Sequence, residues 1–276
     1  MSLRAALNAG AAALAAVADD PRYEAELLLA HTLGVERSAL LFSPPEDVPE
    51  HFAELIARRA AGEPLAYVLG HADFWTIRLA VGRGALIPRS DSETLLRAVL
   101  EERPGWAPRR ILDLGTGPGT LLFAALDQWR AASGVGLERS AEARSWAERN
   151  RAGLHLAQRA EVVAGDWKDR AALAALGRFD LILANPPYIA EGDPDAAPSL
   201  IHEPAEALWA GSDGLDDYRA ILPALPQLLA EDGIAAVEIG HRQAASVRAI
   251  AVEAGLTVLR MAQDLGGRDR ALLLAR

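Results

Sequence analysis

The sequence predicts an α/β protein: a mostly parallel sheet covered by helices on both faces, with a small all-α N-terminal domain and a β-hairpin linker in front. Three observations carry this. From Arg110 onward, short apolar runs alternate with helical stretches, as expected of β-α units whose strands are buried on both sides. Up to about Pro64 the periodicity is helical only. Between these, Phe74–Val81 alternates in polarity and is built of β-favouring residues. The 276 residues suit one large domain with a small one attached. Boundaries are expected at 1–70 for the helical domain, 71–90 for the hairpin linker and 91–276 for the α/β domain.

Leu3, Leu7, Leu14 and Val17 fit one apolar stripe, and Ala25, Leu28, Leu29, Thr32 and Leu33 a second that stops at Gly34. Phe52, Leu55 and Ile56 mark a third after a break at Pro44-Pro45. Helices this short need a neighbour to bury their stripes, hence a helical domain. Acids outnumber bases here by about two to one, so its surface is acidic. Gly82 and Gly84 punctuate the β-like stretch ahead of Leu86-Ile87. Ser90 and Glu93 then have the spacing of a capping box at the start of a helix. In the large domain, Ile111–Leu114, Gly134–Glu138, Glu161–Ala164, Phe179–Ala184, Ile234–Ile239, Leu256–Leu259 and Ala271–Leu274 read as strands. Leu121–Trp129, Ala141–Asn150, Leu215–Leu229 and Gln243–Ala254 read as helices, the third split or kinked by Pro223 and Pro226.

Composition removes several functions. With no cysteine there is no disulfide framework, thiolate zinc site, iron–sulfur cluster or cysteine nucleophile. The histidines (31, 51, 71, 155, 202 and 241) are scattered without metal-ligand spacing, so no metal site is expected. A net charge of −10, with Lys168 the single lysine, argues against a protein living on nucleic acid. No apolar run approaches the roughly 18 residues of a membrane span. Met1-Ser2-Leu3-Arg4 lacks the layout of a signal peptide, so a cytoplasmic protein is expected.

Asp113-Leu114-Gly115-Thr116-Gly117-Pro118-Gly119 joins the first strand of the large domain to a helix. Alternate glycines let the backbone turn and approach a ligand closely, in the usual place for a nucleotide-like group. The spacing is G-x-G-x-G and not that of dinucleotide binders, and Pro118 removes an N–H that a phosphate cradle would use. Glu138 at the next strand end can accept both hydroxyls of a ribose. After the third strand, Asp166 can take an adenine amino group and Trp167 can pack on the ring.

Asn185-Pro186-Pro187-Tyr188 follows the fourth strand, where ligands of open α/β sheets bind. A planar NH₂ is a poor nucleophile because its lone pair is delocalised. Hydrogen bonds from its N–H groups to the Asn185 side-chain oxygen and the Pro186 carbonyl can steer the lone pair toward an electrophile, and Tyr188 can favour the positive charge developing on nitrogen. A sulfonium methyl held in line then transfers in one displacement, much of the rate coming from positioning.

Taken together, these motifs resemble class I S-adenosyl-L-methionine-dependent methyltransferases acting on planar nitrogens. Gly62-Glu63-Pro64-Leu65-Ala66-Tyr67-Val68-Leu69-Gly70 with Phe74-Trp75, Leu86-Ile87-Pro88-Arg89 with Glu93, His202-Glu203-Pro204, Gly211, Gly214-Leu215-Asp216, Tyr218-Arg219, Glu238-Ile239-Gly240 with Gln243, and Asp264 with Asp269-Arg270 are similar to the HemK/PrmC family across nearly the whole chain. The resemblance implies a Rossmann-like, seven-stranded, mostly parallel sheet with a reversed last strand and a helical domain that grips a protein substrate. It implies methylation of the amide N5 of the glutamine in the Gly-Gly-Gln motif of class-1 peptide chain release factors. By position, Gly115, Thr116, Gly117, Pro118, Gly119, Glu138, Asp166, Trp167 and Asn185 are then the cofactor contacts, and Asn185, Pro186, Pro187 and Tyr188 hold the substrate glutamine. Asn185, Pro186 and Tyr188 carry the catalysis. Ser90 replaces a usual proline, Glu138 a frequent aspartate, and Pro118 a small residue. No stable nucleic-acid or membrane partner is expected, and the chain is expected to be a monomer. Alternatives are an adenine-N6 methyltransferase, since the Asn-Pro-Pro-Tyr loop serves exocyclic amines equally well, and a non-catalytic protein that binds the cofactor or the release factor.

Overall fold

Burial on both faces of the central strands determines the architecture. The computed structural model describes residues 2–42, 47–194 and 198–276, and the Pro44-Pro45 break lies outside them. Two compact units are present, Met1–His71 and Ala72–Arg276.

The first unit is helical: α1 (Leu3–Leu14), α2 (Pro21–Leu33), α3 (Ala39–Phe42), α4 (His51–Ala60) and α5 (Leu65–Leu69). Ser2 caps α1 and Asp20 caps α2, whose first residue is a proline that has no N–H to satisfy. Gly34 ends α2 in the left-handed conformation, φ 65°. Leu7, Leu14, Leu28, Leu29, Phe52, Leu55 and Ile56 share one core. Arg59 pairs with Glu24 at 2.7 Å and donates to the Val17 carbonyl, joining α4, α2 and the α1–α2 turn.

The second unit opens with a hairpin, β1 (His71–Phe74) and β2 (Ile77–Ala80). This is the expected hairpin, and its turn falls at Trp75-Thr76, inside the β-favouring stretch Phe74–Val81, with Trp75 at φ 55°. Tertiary partners override the β propensity there. The Trp75 N–H donates to Glu93 and the Thr76 hydroxyl to Asp127. The capping box is likewise not formed. Ser90–Ser92 is a 3₁₀ turn ahead of α6 (Glu93–Glu102), and the Glu93 carboxylate is spent on Trp75.

There follow β3 (Arg110–Leu114), α7 (Thr120–Gln128), β4 (Ser133–Glu138), α8 (Ala141–Gly153), β5 (Ala160–Ala164), α9 (Arg170–Ala175) and β6 (Phe179–Ala184). Then come α10 (Asp216–Ile221), α11 (Leu225–Leu228), β7 (Leu229–Glu238), α12 (Ala244–Glu253), β8 (Thr257–Gln263) and β9 (Asp269–Ala275). A 3₁₀ turn, Leu222–Ala224, separates α10 from α11, so Pro223 and Pro226 split the expected helix. The α9 helix was missed; its N-cap is Asp169, which accepts from Ala171 and Ala172. β7 and β8 run longer than their apolar cores because polar residues continue the ladder.

The sheet order is β5-β4-β3-β6-β7-β9-β8, parallel from β5 to β7, with β9 antiparallel to both neighbours. This is the expected Rossmann-like sheet with a reversed last strand. Leu112, Leu114, Ile182, Ala184, Ala235, Val237, Leu272 and Leu274 pack into one cluster with Tyr218, Ile221, Leu225 and Val247 of the helices. Their alternates, Ile111, Leu181, Leu183, Ile234 and Leu273, are also fully buried and face the opposite side, toward α6 and α7. The chain leaves β3 toward β4 and β5, then returns to place β6 on the other side of β3. That reversal opens a crevice at the C-terminal ends of β3, β4 and β6.

Asn150 of α8 is buried and fastens the hairpin to the loop after β3. It accepts from Ala80 N–H at 2.7 Å and donates to the carbonyls of Ala80 (3.0 Å) and Pro118 (2.9 Å). Asn150→Ala leaves three backbone groups without partners and should lower unfolding free energy by about 3 kcal/mol, measurable by urea denaturation.

Candidate active site

The loop 115–119 is possible because glycine stands where no side chain fits. Gly115, Gly117 and Gly119 all have positive φ, at 75°, 56° and 92°. A Cβ on Gly119 would sit 1.9 Å from the Phe123 ring and one on Gly115 2.7 Å from Trp167, whereas a Cβ on Gly117 would meet nothing within 4 Å. The middle of the loop therefore faces open space. Thr116 folds back to donate to Asp113 at 2.7 Å. Glu138, at the end of β4, accepts from Gly117 N–H (2.9 Å) and Ser140 N–H (2.8 Å), so one carboxylate bridges two strand-end loops. Each oxygen keeps a further lone pair for a ligand hydroxyl.

A cleft opens over this loop. Its floor is Asp113, Gly115, Thr116, Gly117 and Pro118, with Glu138, Trp167, Asn185 and Pro187 around it. The 84–89 segment and Pro204, Glu206 and Ala207 form the remaining walls. Those two wall segments are held together by Glu203, which accepts from Ile87 N–H at 3.0 Å and pairs with the Arg89 guanidinium. Trp167 is buried, and its indole N–H donates to Asp217 at 3.1 Å, so the ring edge is fixed.

Of the expected cofactor contacts, Gly115, Thr116, Gly117, Pro118, Glu138, Trp167 and Asn185 meet at this cleft, while Gly119 and Asp166 do not line it. Gly119 is spent on the close approach to Phe123, and Asp166 accepts from Lys168 N–H. In the Asn-Pro-Pro-Tyr loop, Asn185 and Pro187 line the cleft; Pro186 and Tyr188 do not. Asn185 donates from Nδ2 to Ser92 Oγ at 3.2 Å, committing its NH₂ end and leaving the carbonyl end to accept. The Tyr188 hydroxyl donates to Glu238 at 3.3 Å and receives Arg270 Nη1 at 3.4 Å. Burial, reinforced by the Glu238 charge, pushes that hydroxyl above the ordinary phenol range. The loop is anchored by Gln243, which donates to the Tyr188 and Gly214 carbonyls and accepts from Gly240 N–H.

Comparison with known proteins bears on this arrangement. A model of the PrmC N-terminal domain matches residues 5–70, and one of the methyltransferase small domain matches residues 90–213. A release factor glutamine methyltransferase of Rhodospirillum rubrum is 40% identical, over 94% of this chain and 80% of that protein. That of Caulobacter vibrioides is 38% identical over 92% and 89%, and that of Agrobacterium fabrum 38% over 93% and 91%. The chain belongs to the release factor glutamine methyltransferase family. It is a methyltransferase, and within that family its cleft combines the glycine loop, Glu138 and Asn185 in one place.

The sequence alone assigns no individual role to Ser92, Asp113, Asn150 or Glu203. Ser92 and Glu203 lie in or beside motifs already noted, but their partners are 93 and 116 residues away and become visible only in the fold. Among the described residues no helix is long and apolar enough to cross a membrane, and no group of three acids and histidines could hold a metal.

Asp113 is buried beneath the glycine loop. Its Oδ2 accepts from Thr116 and Leu122 N–H, while Oδ1 has no hydrogen-bond partner among the described residues. Burial raises its carboxyl to about 7, against hydrogen bonds that lower it and with Glu138 adding to the rise. The native state therefore keeps a proton on Asp113 that the unfolded chain releases near pH 4, so this group costs stability as pH rises from about 4 to about 7. Relative to wild type, Asp113→Asn should flatten the decline of the melting temperature across that window, which calorimetry at several pH values would read.

Proposed function

We propose that this chain methylates the side-chain amide N5 of the glutamine in the Gly-Gly-Gln motif of class-1 peptide chain release factors, using S-adenosyl-L-methionine. The observation that carries the reading is the placement of the Asn185 amide in the same cleft as the glycine loop, with its NH₂ end already committed to Ser92. An oxygen is thus turned toward a substrate N–H, as a carboxamide requires. Membership of the family supports the substrate class.

The residues of the cleft fit the cofactor. The Glu138 carboxylate, already oriented by two backbone N–H groups, suits the ribose hydroxyls. Gly117 leaves room beside it for a bulky group. Trp167 offers an apolar wall to a flat ring. When bound, the cofactor supplies an electrophilic methyl carbon on a sulfonium. Asn185 Oδ1 and the Pro186 carbonyl accept the two N–H bonds of the glutamine carboxamide and turn its nitrogen lone pair away from conjugation. Pro186 and Pro187 hold those acceptors at little entropic cost. Tyr188, with its hydroxyl tied to Glu238, buttresses the end of the loop. Once alkylated, the nitrogen is acidic enough to shed its proton to water, so no histidine base is needed.

Asn185→Ala removes an acceptor that acts most strongly in the transition state and should lower kcat about 100- to 1,000-fold, with cofactor affinity retained to within several-fold. The test is transfer of label from the cofactor to a purified release factor, with a mixed nucleic-acid pool alongside. Transfer to the nucleic acid alone, or full activity of the variant, would overturn the assignment.

A further inference from the structure

Gln243 occupies the N-cap of α12, where a side-chain oxygen ordinarily takes a free N–H of the first turn, yet it makes no such bond. Its amide reaches instead to the Asn185–Tyr188 loop. Nε2 donates to the Tyr188 carbonyl at 2.9 Å and to the Gly214 carbonyl at 3.0 Å, and Oε1 accepts from Gly240 N–H at 3.1 Å. Two carbonyls need donors and one N–H needs an acceptor, so only this orientation of the amide satisfies all three. Two buried glycines clear the space for it. A Cβ on Gly214 would lie 2.4 Å from the Tyr188 carbonyl and 2.7 Å from Gln243 Nε2, and one on Gly240 would lie 2.6 Å from Oε1. The helix makes no use of this amide, and its surroundings are shaped to aim it at Tyr188.

We propose that Gln243 is a positioning residue for methyl transfer, which sets the far end of the Asn185–Tyr188 loop and with it the place of the two acceptors that hold the substrate amide. The proposal rests on the reading that Asn185 Oδ1 and the Pro186 carbonyl accept the two N–H bonds of a glutamine carboxamide. The near end of the loop is fixed by the sheet, because Ala184 is paired with Leu114 of β3 and Val237 of β7. Past Ala184 the chain leaves the sheet. Pro186 and Pro187 fix φ but leave ψ free to swing the carbonyls between them. The Tyr188 carbonyl is the next fixed point. After it, Ile189 donates to the Leu208 carbonyl and accepts from Ala210 N–H, both at 2.9 Å, which joins the loop to another irregular segment. Gln243 joins it to a helix whose Val247 and Ala251 are buried in the core of the sheet. The acceptors are thereby referred to the rigid part of the fold from both ends.

Gln243, Gly214 and Gly240 do not line the cleft over the glycine loop. Loss of the tie therefore falls on the transfer step and spares cofactor capture. A misplacement of about 1 Å in such a site costs on the order of 100-fold in rate.

The experiment measures kcat for a purified release factor at saturating cofactor, together with cofactor affinity and melting temperature. Gln243→Asn is one methylene shorter and cannot span to both carbonyls, but it is a good N-cap residue. It should lower kcat about 10- to 100-fold, with cofactor Kd within about threefold and the melting temperature within about 5 °C. A residue that served only the start of α12 would instead be replaced by Asn at no loss of rate. Gly214→Ala presses on the same carbonyl from a different element and should lower kcat in the same way; if it does not fold, Gln243→Asn and Gln243→Ser decide. A wild-type kcat in Gln243→Asn overturns the proposal, and so does a loss of rate matched by an equal loss of cofactor affinity. If Asn185→Ala loses transfer while Gln243→Asn keeps it, the role of Gln243 alone is wrong; if Asn185→Ala stays active, the reading beneath it is wrong.

Discussion

Everything at the cleft depends on the carboxylate of Glu138. It stands at the end of β4, buried, and takes one backbone N–H from the glycine loop after β3 and another from Ser140 at the start of α8. Charge-assisted hydrogen bonds of this kind are about twice as strong as neutral ones. They satisfy an N–H of the glycine loop that its φ values turn away from any regular ladder, and they hold the loop at fixed height above the sheet. Asp113 does the same from below through Thr116 and Leu122. The loop is thus pinned from two sides, by Glu138 above and by Asp113 below.

The second half of the site is a proline-stiffened loop fastened by groups distant in sequence. Gln243 holds the Tyr188 carbonyl, Ser92 holds the Asn185 amide, and Glu203 brings the 84–89 wall across. These ties converge from the 3₁₀ turn before α6, the segment before α10 and the segment after β7. Motifs scattered along the chain are therefore parts of one scaffold. Gly214 belongs to it as well: a Cβ there would lie 2.4 Å from the Tyr188 carbonyl.

How much of this could be read in advance follows a physical division. The strands were legible because burial on both faces demands continuous apolar runs, as in Phe179–Ala184. The glycine loop was legible because positive φ demands glycine, as at Gly115, Gly117 and Gly119. What failed depended on long-range partners. Nothing local in Phe74–Val81 announces a turn at Trp75; Glu93 supplies the reason. The Ser90–Glu93 spacing was sound as local chemistry but lost to that same contact. A local contact accounts for Asp166, whose carboxylate accepts from Lys168 N–H and does not line the cleft. Tyr188 was read as a group that favours positive charge on nitrogen, and the partner of its hydroxyl, Glu238, lies 50 residues away and is visible only in the fold.

The clasp made by Asn150 has a consequence for Pro118. A proline in a ligand loop surrenders an N–H, and that looks like a loss. Here the residue's carbonyl is gripped by Asn150, and the ring freezes the neighbouring backbone torsion. Less conformational freedom remains to be surrendered when a ligand arrives, so the ordering penalty of capture is met during folding. The small hairpin that precedes the sheet, through Ala80, thereby helps to set how readily the pocket accepts its guest.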